Sequence, residues 1–394
     1  MNRKVFVAGV GMIPFSKPGK SEPYLVMGER AARLALQDAR VPYGDVQQAY
    51  VSYVYGDSTA GQAAIYRVGL SGIPVFNLNN NCSSGSSALF LARQAVESGM
   101  VECAIALGFE QMVPGALKGA YDDRPSPMAR FADTMTELQG YDSAAPRAAQ
   151  FFGGAGRDYM KQHDIRADTF ARISVKARQH AARNPLAVFR ETVTLDEVMA
   201  APTVFEPLTR LQCCPPTCGA AATVLCSEDY ARRHGLAPKV FIAAQAMTTD
   251  TPSTFDDRDM RKLVGYDMTK AAAAQVYEAA GIGPEDLDVV ELHDCFAQNE
   301  LITYEALGLC REGEAAAFID GGDNTYGGKT VTNPSGGLLS KGHPLGATGL
   351  AQCFELTHQL RGSAEQRQVH GARIALQHNL GLGGACVVTL YRSA

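Results

Sequence analysis

Cys82 stands in the run Asn79-Asn80-Asn81-Cys82-Ser83-Ser84-Gly85-Ser86, small polar residues between a strand-like and a helix-like segment. A helix start offers unpaired N–H groups and the positive end of the helix dipole. That setting favours a thiolate, so a lowered pKa and a nucleophilic role are expected of Cys82. Taken alone, such a cysteine is as readily a small core residue. His343, in Gly342-His343-Pro344-Leu345-Gly346, is held between a glycine and a proline just ahead of another helix. An imidazole fixed in this way takes a proton from a thiol or polarises a carbonyl oxygen. His293-Asp294-Cys295-Phe296 ends the strand-like run Val289 to Leu292. Alternation puts His293 and Cys295 on one side, at a strand end where open α/β sheets collect ligands.

Three other patterns need weighing. Cys and His together suggest zinc, but His293 and Cys295 supply two ligands of the usual four, and no second pair is recognisable. No metal is expected. Cys213-Cys214-Pro215-Pro216-Thr217-Cys218 reads as a tight loop leading into the strand Ala221 to Cys226. Gln377 to Ala385 reads as a glycine turn after the strand Ile374 to Leu376. Its amides suit half of an oxyanion hole, whereas its glycine spacing does not suit a dinucleotide site.

The elements that must carry these residues alternate along the chain. Val5 to Val10, Val46 to Val54, Pro74 to Leu78 and Glu102 to Gly108 read as strands. Tyr24 to Ala39, Gly61 to Leu70 and Ser83 to Ser98 read as helices between them. This rhythm implies a largely parallel sheet covered by helices. It breaks over about 112–215, where turn clusters such as Asp122-Asp123-Arg124-Pro125 and helices at Ala148 to His163 and Ala167 to Arg183 suggest an insertion. The second part repeats the first. At an offset of 241, Ala39 pairs with Ala280 and Asp45 with Asp286, and turn, helix and strand recur in the same order. The expected halves are 1–250 and 251–394.

With 394 residues, a formal charge of −5 and 20% charged residues, the chain lacks the broad basic field that phosphate backbones attract. Nucleic acid is not an expected partner. No run of about 20 apolar residues exists, so no membrane insertion is expected. Ten scattered cysteines without a secretory signal fit reduced thiols.

Taken together these segments resemble the thiolase superfamily, and within it the sterol-carrier-protein-type thiolases. The resemblance runs from Val5 to Tyr391 and rests on Asn79 to Ser84, Leu211 to Pro215, Glu291 to Phe296, Gly322 to Gly328, Asn333 to Gly349 and Leu376 to Gly384. It implies a duplicated α/β fold in five layers, α-β-α-β-α, with an inserted loop region in the first half. By motif, Cys82 matches the acylated nucleophile and His343 the histidine that activates it. His293 matches the residue serving the oxyanion hole. The second catalytic cysteine usual in a C-terminal Cys-x-Gly turn is replaced by Asn379-Leu380-Gly381. The resemblance makes Cys295 its substitute, leaves Cys386 in the core, and sets the Gly381 and Cys82 amides as a second oxyanion hole.

The implied activity is 3-ketoacyl-CoA thiolysis in fatty-acid or steroid side-chain β-oxidation. Coenzyme A is a co-substrate and no cofactor is bound permanently. Expected partners are acyl-CoA substrates, a second copy in a homodimer or dimer of dimers, and accessory β-oxidation proteins. The chain ends at Ala394, without a Ser-Lys-Leu-type tripeptide or room for a sterol-carrier domain, so a bacterial cytoplasmic enzyme is expected. The alternatives are a retro-aldolase of steroid side-chain CoA esters working with an accessory protein, and a non-catalytic acyl-CoA or lipid-binding protein. Retaining both Cys82 and Cys295 argues against each.

Overall fold

The computed structural model describes residues 3–115, 119, 121 and 123–394. Asp122 of the expected turn cluster lies outside them. Among the described residues ten strands form one mixed sheet: β1 Val5–Met12, β2 Gln48–Ser52, β3 Val75–Leu78, β4 Cys103–Glu110, β5 Gly219–Ser227, β6 Val240–Thr248, β7 Val289–Glu291, β8 Val331–Thr332, β9 Ile374–Gly381 and β10 Ala385–Ser393. Their order is β8-β7-β9-β10-β6-β1-β5-β4-β2-β3. Read outward from the middle, each set of five runs first, fifth, fourth, second, third. In each the fifth strand is antiparallel to its neighbours, whereas the second, third and fourth are parallel. The duplication is therefore a duplication of topology. The two sets meet where β1 crosses β6, through Val5 opposite Ile242 and Phe6 opposite Phe241.

Helices complete five layers. Helices α1 (Tyr24–Ala39) and α2 (Ala60–Val68) cover the outer face of the first set. The inner layer pairs α3 (Ser84–Glu97) with a late helix, Thr348–Arg361, and both touch strands of both sets. Their buried faces, with Leu89, Ala92, Leu350, Ala351 and Leu356, share one apolar core with Val7, Ala106, Val289 and Ala375. Both helices therefore start inside the molecule. In the inserted region α4 Ala129–Gln139 precedes the two helices read from the sequence, α5 Arg147–His163 and α6 Asp168–Ala181, and a small hairpin of Thr203–Phe205 and Leu208–Thr209 follows them. In the second half α7 (Tyr266–Ala280) covers β6 and β10, and α8 (Ala297–Ala306) lies beneath α5, α6 and α7. The late inner helix is α9.

The duplication is visible in detail. Helices α1 and α7 end at Ala39 and Ala280, and each leads through a short 3₁₀ turn, Tyr43–Asp45 or Pro284–Asp286, into the next strand. Two readings are corrected. The sheet is not largely parallel, since five of its nine strand pairings are antiparallel, each involving the first or fifth strand of a set. The segment taken as a glycine turn from Gln377 is strand as far as Gly381, and only 382–384 turn. Pairing with β10 along its whole length outweighs the weak strand propensity of Asn379 and Gly381.

Candidate active site

Cys82 lies in the turn before α3, His343 follows a π-helical turn of Gly337–Lys341 by two residues, and His293 lies two residues beyond β7. The fold gathers all three: Cys82 Sγ and one ring nitrogen each from His293 and His343 lie within 4.8 Å of one another. The imidazoles meet edge to face, 5.1 Å between centroids. His293 and Cys295 are the Cys/His pair local in the sequence, whereas the third member of the set, Cys82, lies 211 residues before His293.

Each member is held by hydrogen bonds whose direction can be worked out. Thr348 Oγ1 donates its proton to the Pro344 carbonyl, 3.1 Å away. It must therefore accept from His343 Nδ1, at 2.7 Å. His343 Nε2 then carries a lone pair, and it is buried without a protein partner among the described residues. Burial drops the His343 pKa to about 3, with the Lys341 ammonium adding to the fall. The ring is a neutral acceptor. Its backbone N–H donates to Thr217 Oγ1 at 3.1 Å.

The Cys82 thiol departs from expectation. Burial, with the Glu110 carboxylate behind it, pushes it up to about 12 instead of down. The N–H groups of the turn are already engaged: those of Ser83 and Ser84 bind the carbonyls of Asn80 and Asn81, and that of Asn80 binds Ser84 Oγ. Little of the helix-start field is left for the sulfur. The resting pair is thiol and neutral imidazole, so a nucleophilic attack by this sulfur would have to be accompanied by proton transfer.

Gly381 lies against the same turn. A Cβ there would sit 2.2 Å from the Asn80 carbonyl oxygen and 2.7 Å from Ser83 Oγ, so only glycine fits. Asn81 Nδ2 donates to the Leu382 carbonyl at 2.9 Å, tying the turn to the β9–β10 hairpin. Cys295 is buried, and burial, together with the Cys214 and Cys82 thiols, holds its pKa well above the usual range. Between His293 and Cys295, the Asp294 carboxylate accepts the N–H groups of Leu338 (2.7 Å) and Leu339 (3.3 Å), at the start of the turn leading to His343. Cys386 is in the core, near Thr269.

Sequence reasoning missed four contributors. The Cys213–Cys218 loop pairs with the Cys295 segment, through the Cys214 N–H on the Cys295 carbonyl at 2.9 Å, and supplies Thr217. Glu110, at the end of β4, accepts from the backbone N–H groups of Val54, Tyr55 and Gly346 at 2.9–3.0 Å. Thr348 sets the His343 tautomer. Asn379 is buried between Cys82 and His293. Each acts across the chain rather than within a motif, and only the pair His343–Thr348 was readable locally, as neighbours five residues apart.

Two domain families match this chain: the thiolase N-terminal domain over residues 5–229 and the thiolase C-terminal-domain-like family over 250–390. The chain belongs to the thiolase family of acyltransferases. Among curated relatives, "Sterol carrier protein 2" of Rattus norvegicus is 55% identical over 393 residues, spanning 99% of this chain and 72% of the relative. Among solved structures, an "Ltp2-ChsH2(DUF35) aldolase" superposes with a TM-score of 0.85 at 24% identity, covering 99% of this chain and 98% of that one. Human mitochondrial 3-ketoacyl-CoA thiolase in complex with CoA gives 0.74 at 20% identity, covering 100% and 98%. At those identities the two superpositions speak for the fold alone. Among the described residues no helix is long and apolar enough to cross a membrane.

A thiol at about 12 beside a neutral histidine predicts a particular reactivity. Iodoacetamide alkylation of Cys82, mapped by mass spectrometry, should accelerate about tenfold per pH unit from about pH 7 to about pH 9, following the thiolate fraction. A plateau at neutral pH would reveal a preformed thiolate–imidazolium pair instead.

Proposed function

We propose that this chain is a 3-ketoacyl-CoA thiolase, and the observation that carries the reading is the Cys82–His293–His343 cluster beside Cys295. Cys82 Sγ attacks the 3-keto carbon while its proton passes to His343 Nε2. The Cys82 and Gly381 backbone amides hold the developing oxyanion. His293, through Nε2–H, holds the thioester oxygen, which gains charge as the C2–C3 bond breaks. Cys295 gives its proton to C2 of the departing enolate, releasing acetyl-CoA or propionyl-CoA. The Cys295 thiolate then takes the proton of the CoA thiol. CoA sulfur attacks the acyl-Cys82 thioester, and Cys82 recovers its proton from His343. No proton is left over.

The elevated Cys295 pKa suits this order, because a thiol protonated at neutral pH is ready to act first as an acid. The halves expected at 1–250 and 251–394 are better divided ahead of β6 (Val240–Thr248), which opens the second set of five strands, and the nucleophile and its histidine come one from each half. Ten free cysteines support a reducing, cytoplasmic setting. A second reading, retro-aldol cleavage with an accessory protein, is suggested only by analogy with the aldolase that shares the fold. That chemistry has no use for an acylated cysteine, so dependence of turnover on CoA separates the two.

The homodimer is supported by the free edge of β3. Phe76 there is 44% exposed and stacks on Tyr50, with Tyr66 and Leu70 exposed nearby in sequence. An exposed strand edge with apolar side chains favours pairing with a second copy.

Three outcomes are expected. Mixing with acyl-CoA in the absence of free CoA should leave an acyl group on Cys82 in intact-protein mass spectra; acylation elsewhere, or undiminished thiolysis by Cys82→Ala, overturns the assignment. Cys295→Ala should lose about 10²–10⁴ in thiolysis rate while still accepting an acyl group from acyl-CoA donors. Sedimentation should show a dimer or larger assembly, and a stable, active 42.0 kDa monomer contradicts it.

A further inference from the structure

A cysteine sulfur and two histidine nitrogens within 4.8 Å are also the makings of a zinc site. What decides between a metal centre and an oxyanion site is the protonation of His293, since a ligating nitrogen must offer a lone pair and an oxyanion donor must offer a proton.

Asn379 is fully buried and touches three partners. Its Nδ2 lies 3.1 Å from the Cys82 carbonyl oxygen and 3.1 Å from His293 Nδ1. Its Oδ1 lies 2.8 Å from Ser86 Oγ. An amide can be placed either way round, so its polarity must be argued from groups that have only one role. The Cys82 carbonyl can only accept, so the amide end facing it is the NH₂. The opposite end is pinned independently. The Gly349 carbonyl can only accept, which fixes Gln377 Nε2 against it at 2.8 Å. The same Nε2 donates to Ser86 Oγ at 2.7 Å, leaving the Ser86 hydroxyl proton for Asn379 Oδ1. Tyr391 OH, on Gln377 Oε1, agrees. Two backbone carbonyls thus impose one direction along the whole chain of bonds, and its last donor is aimed at His293 Nδ1.

From this geometry we propose that Asn379 is a positioning residue that holds His293 as its Nε2–H tautomer, making the Cys82–His293–His343 cluster an oxyanion site instead of a zinc site. His293 Nδ1 must accept, so the proton of the neutral ring sits on Nε2, which has no other partner among the described residues. His343 presents the opposite, a bare Nε2. The two rings are therefore a donor and an acceptor beside one sulfur. The asparagine that stands where most thiolases have their second cysteine orients the site and leaves proton transfer to another group. This rests on the thiolase reading for the use of the donor, but not for its existence.

The test uses the full chain and two readouts that do not involve turnover. In ¹⁵N-histidine-labelled protein at neutral pH, the His293 signal, assigned by its loss in His293→Gln, should show a protonated Nε2 and an unprotonated Nδ1. Protonation at Nδ1 overturns the proposal, and this measurement needs no change at position 379. The second variant is Asn379→Asp, nearly isosteric, whose carboxylate accepts from Nδ1–H and frees Nε2 as a lone pair. Carboxylates behind metal-bound histidines raise affinity by about 10–100-fold. Competition with a chromophoric chelator should therefore show Asn379→Asp binding Zn²⁺ about 10–100-fold more tightly than the unaltered protein. Adding Cys82→Ser should reverse the gain. Equal Zn²⁺ affinity in the two proteins overturns the proposal. If both readouts come out as expected but the unaltered enzyme fails to thiolyse any 3-ketoacyl-CoA, the functional reading falls and the role of Asn379 stands.

Discussion

The Glu110 carboxylate is the interaction on which the site depends. It leaves the end of β4 in the first half and takes three backbone N–H groups, two from the loop after β2 and one from Gly346 in the second half. A buried carboxylate is costly unless its oxygens are filled, and here the donors that fill them belong to loops that must meet. Burial still wins over those bonds and lifts the Glu110 pKa to about 7. Ser52 adds a second tie by donating to the Gly346 carbonyl at 2.7 Å. The turn that carries His343 is thereby fastened to the half that carries Cys82. Such ties hold two side chains 261 positions apart within 4.8 Å of each other.

The second half carries the heavier polar load. Lys341 pairs with Glu291 at 3.2 Å, and Arg367 pairs with Glu355 at 2.9 Å, all almost wholly buried. Lys176, from the inserted region, pairs with Glu300 and also donates to Thr332 Oγ1 at 2.6 Å. Buried pairs of this kind are weak evidence for stability, because desolvation offsets much of their attraction. What they provide here is placement. Glu291 also accepts from Ser335 through both N–H and hydroxyl, so one carboxylate holds both ends of the segment that leads to His343. Lys176 joins the insertion to α8, directly below the His293–Cys295 segment. The insertion also packs against the turn that leads to His343, through the Val188 and Phe189 N–H groups on the Lys341 and Ser340 carbonyls at 3.1 and 3.0 Å.

How legible this was depended on range. Helix α1 was readable to the residue, because Met27, Ala31 and Ala35 keep a helical period and a polar face remains. The duplication was readable from element order. Helix α8 was not, since all ten of its residues are buried and no polar face marks a period. β9 was misread because Asn379 and Gly381 look like turn residues, whereas their strand is imposed by β10 and by the approach of the Cys82 turn. The chemistry-bearing motifs at Cys82, His293 and His343 were visible as strings, but not their convergence. The direction of the Cys82 pKa was also beyond local reasoning, because it turns on burial and on Glu110, neither of which the turn sequence contains.

The site that results holds no net charge on its reacting groups at rest. A thiol at about 12 and imidazoles well below their usual range keep Cys82, His293 and His343 neutral together. In a buried setting an ion pair would have to be stabilised before any substrate arrives, whereas neutral groups need only be oriented. Orientation is what the surrounding bonds supply: Thr348 turns one ring into an acceptor, and Asn379 makes the other a donor. In the proposed mechanism charge then appears only while bonds are changing, on the substrate oxygens assigned to those donors. Preorganised dipoles act most strongly in such a place, because they need not turn when the charge develops. It also follows why position 379 and position 295 must be considered as one exchange. An amide that donates steadily to His293 Nδ1 cannot also shuttle a proton, so in the proposed mechanism the acid/base role is given to a thiol on the same segment as the histidine that Asn379 orients.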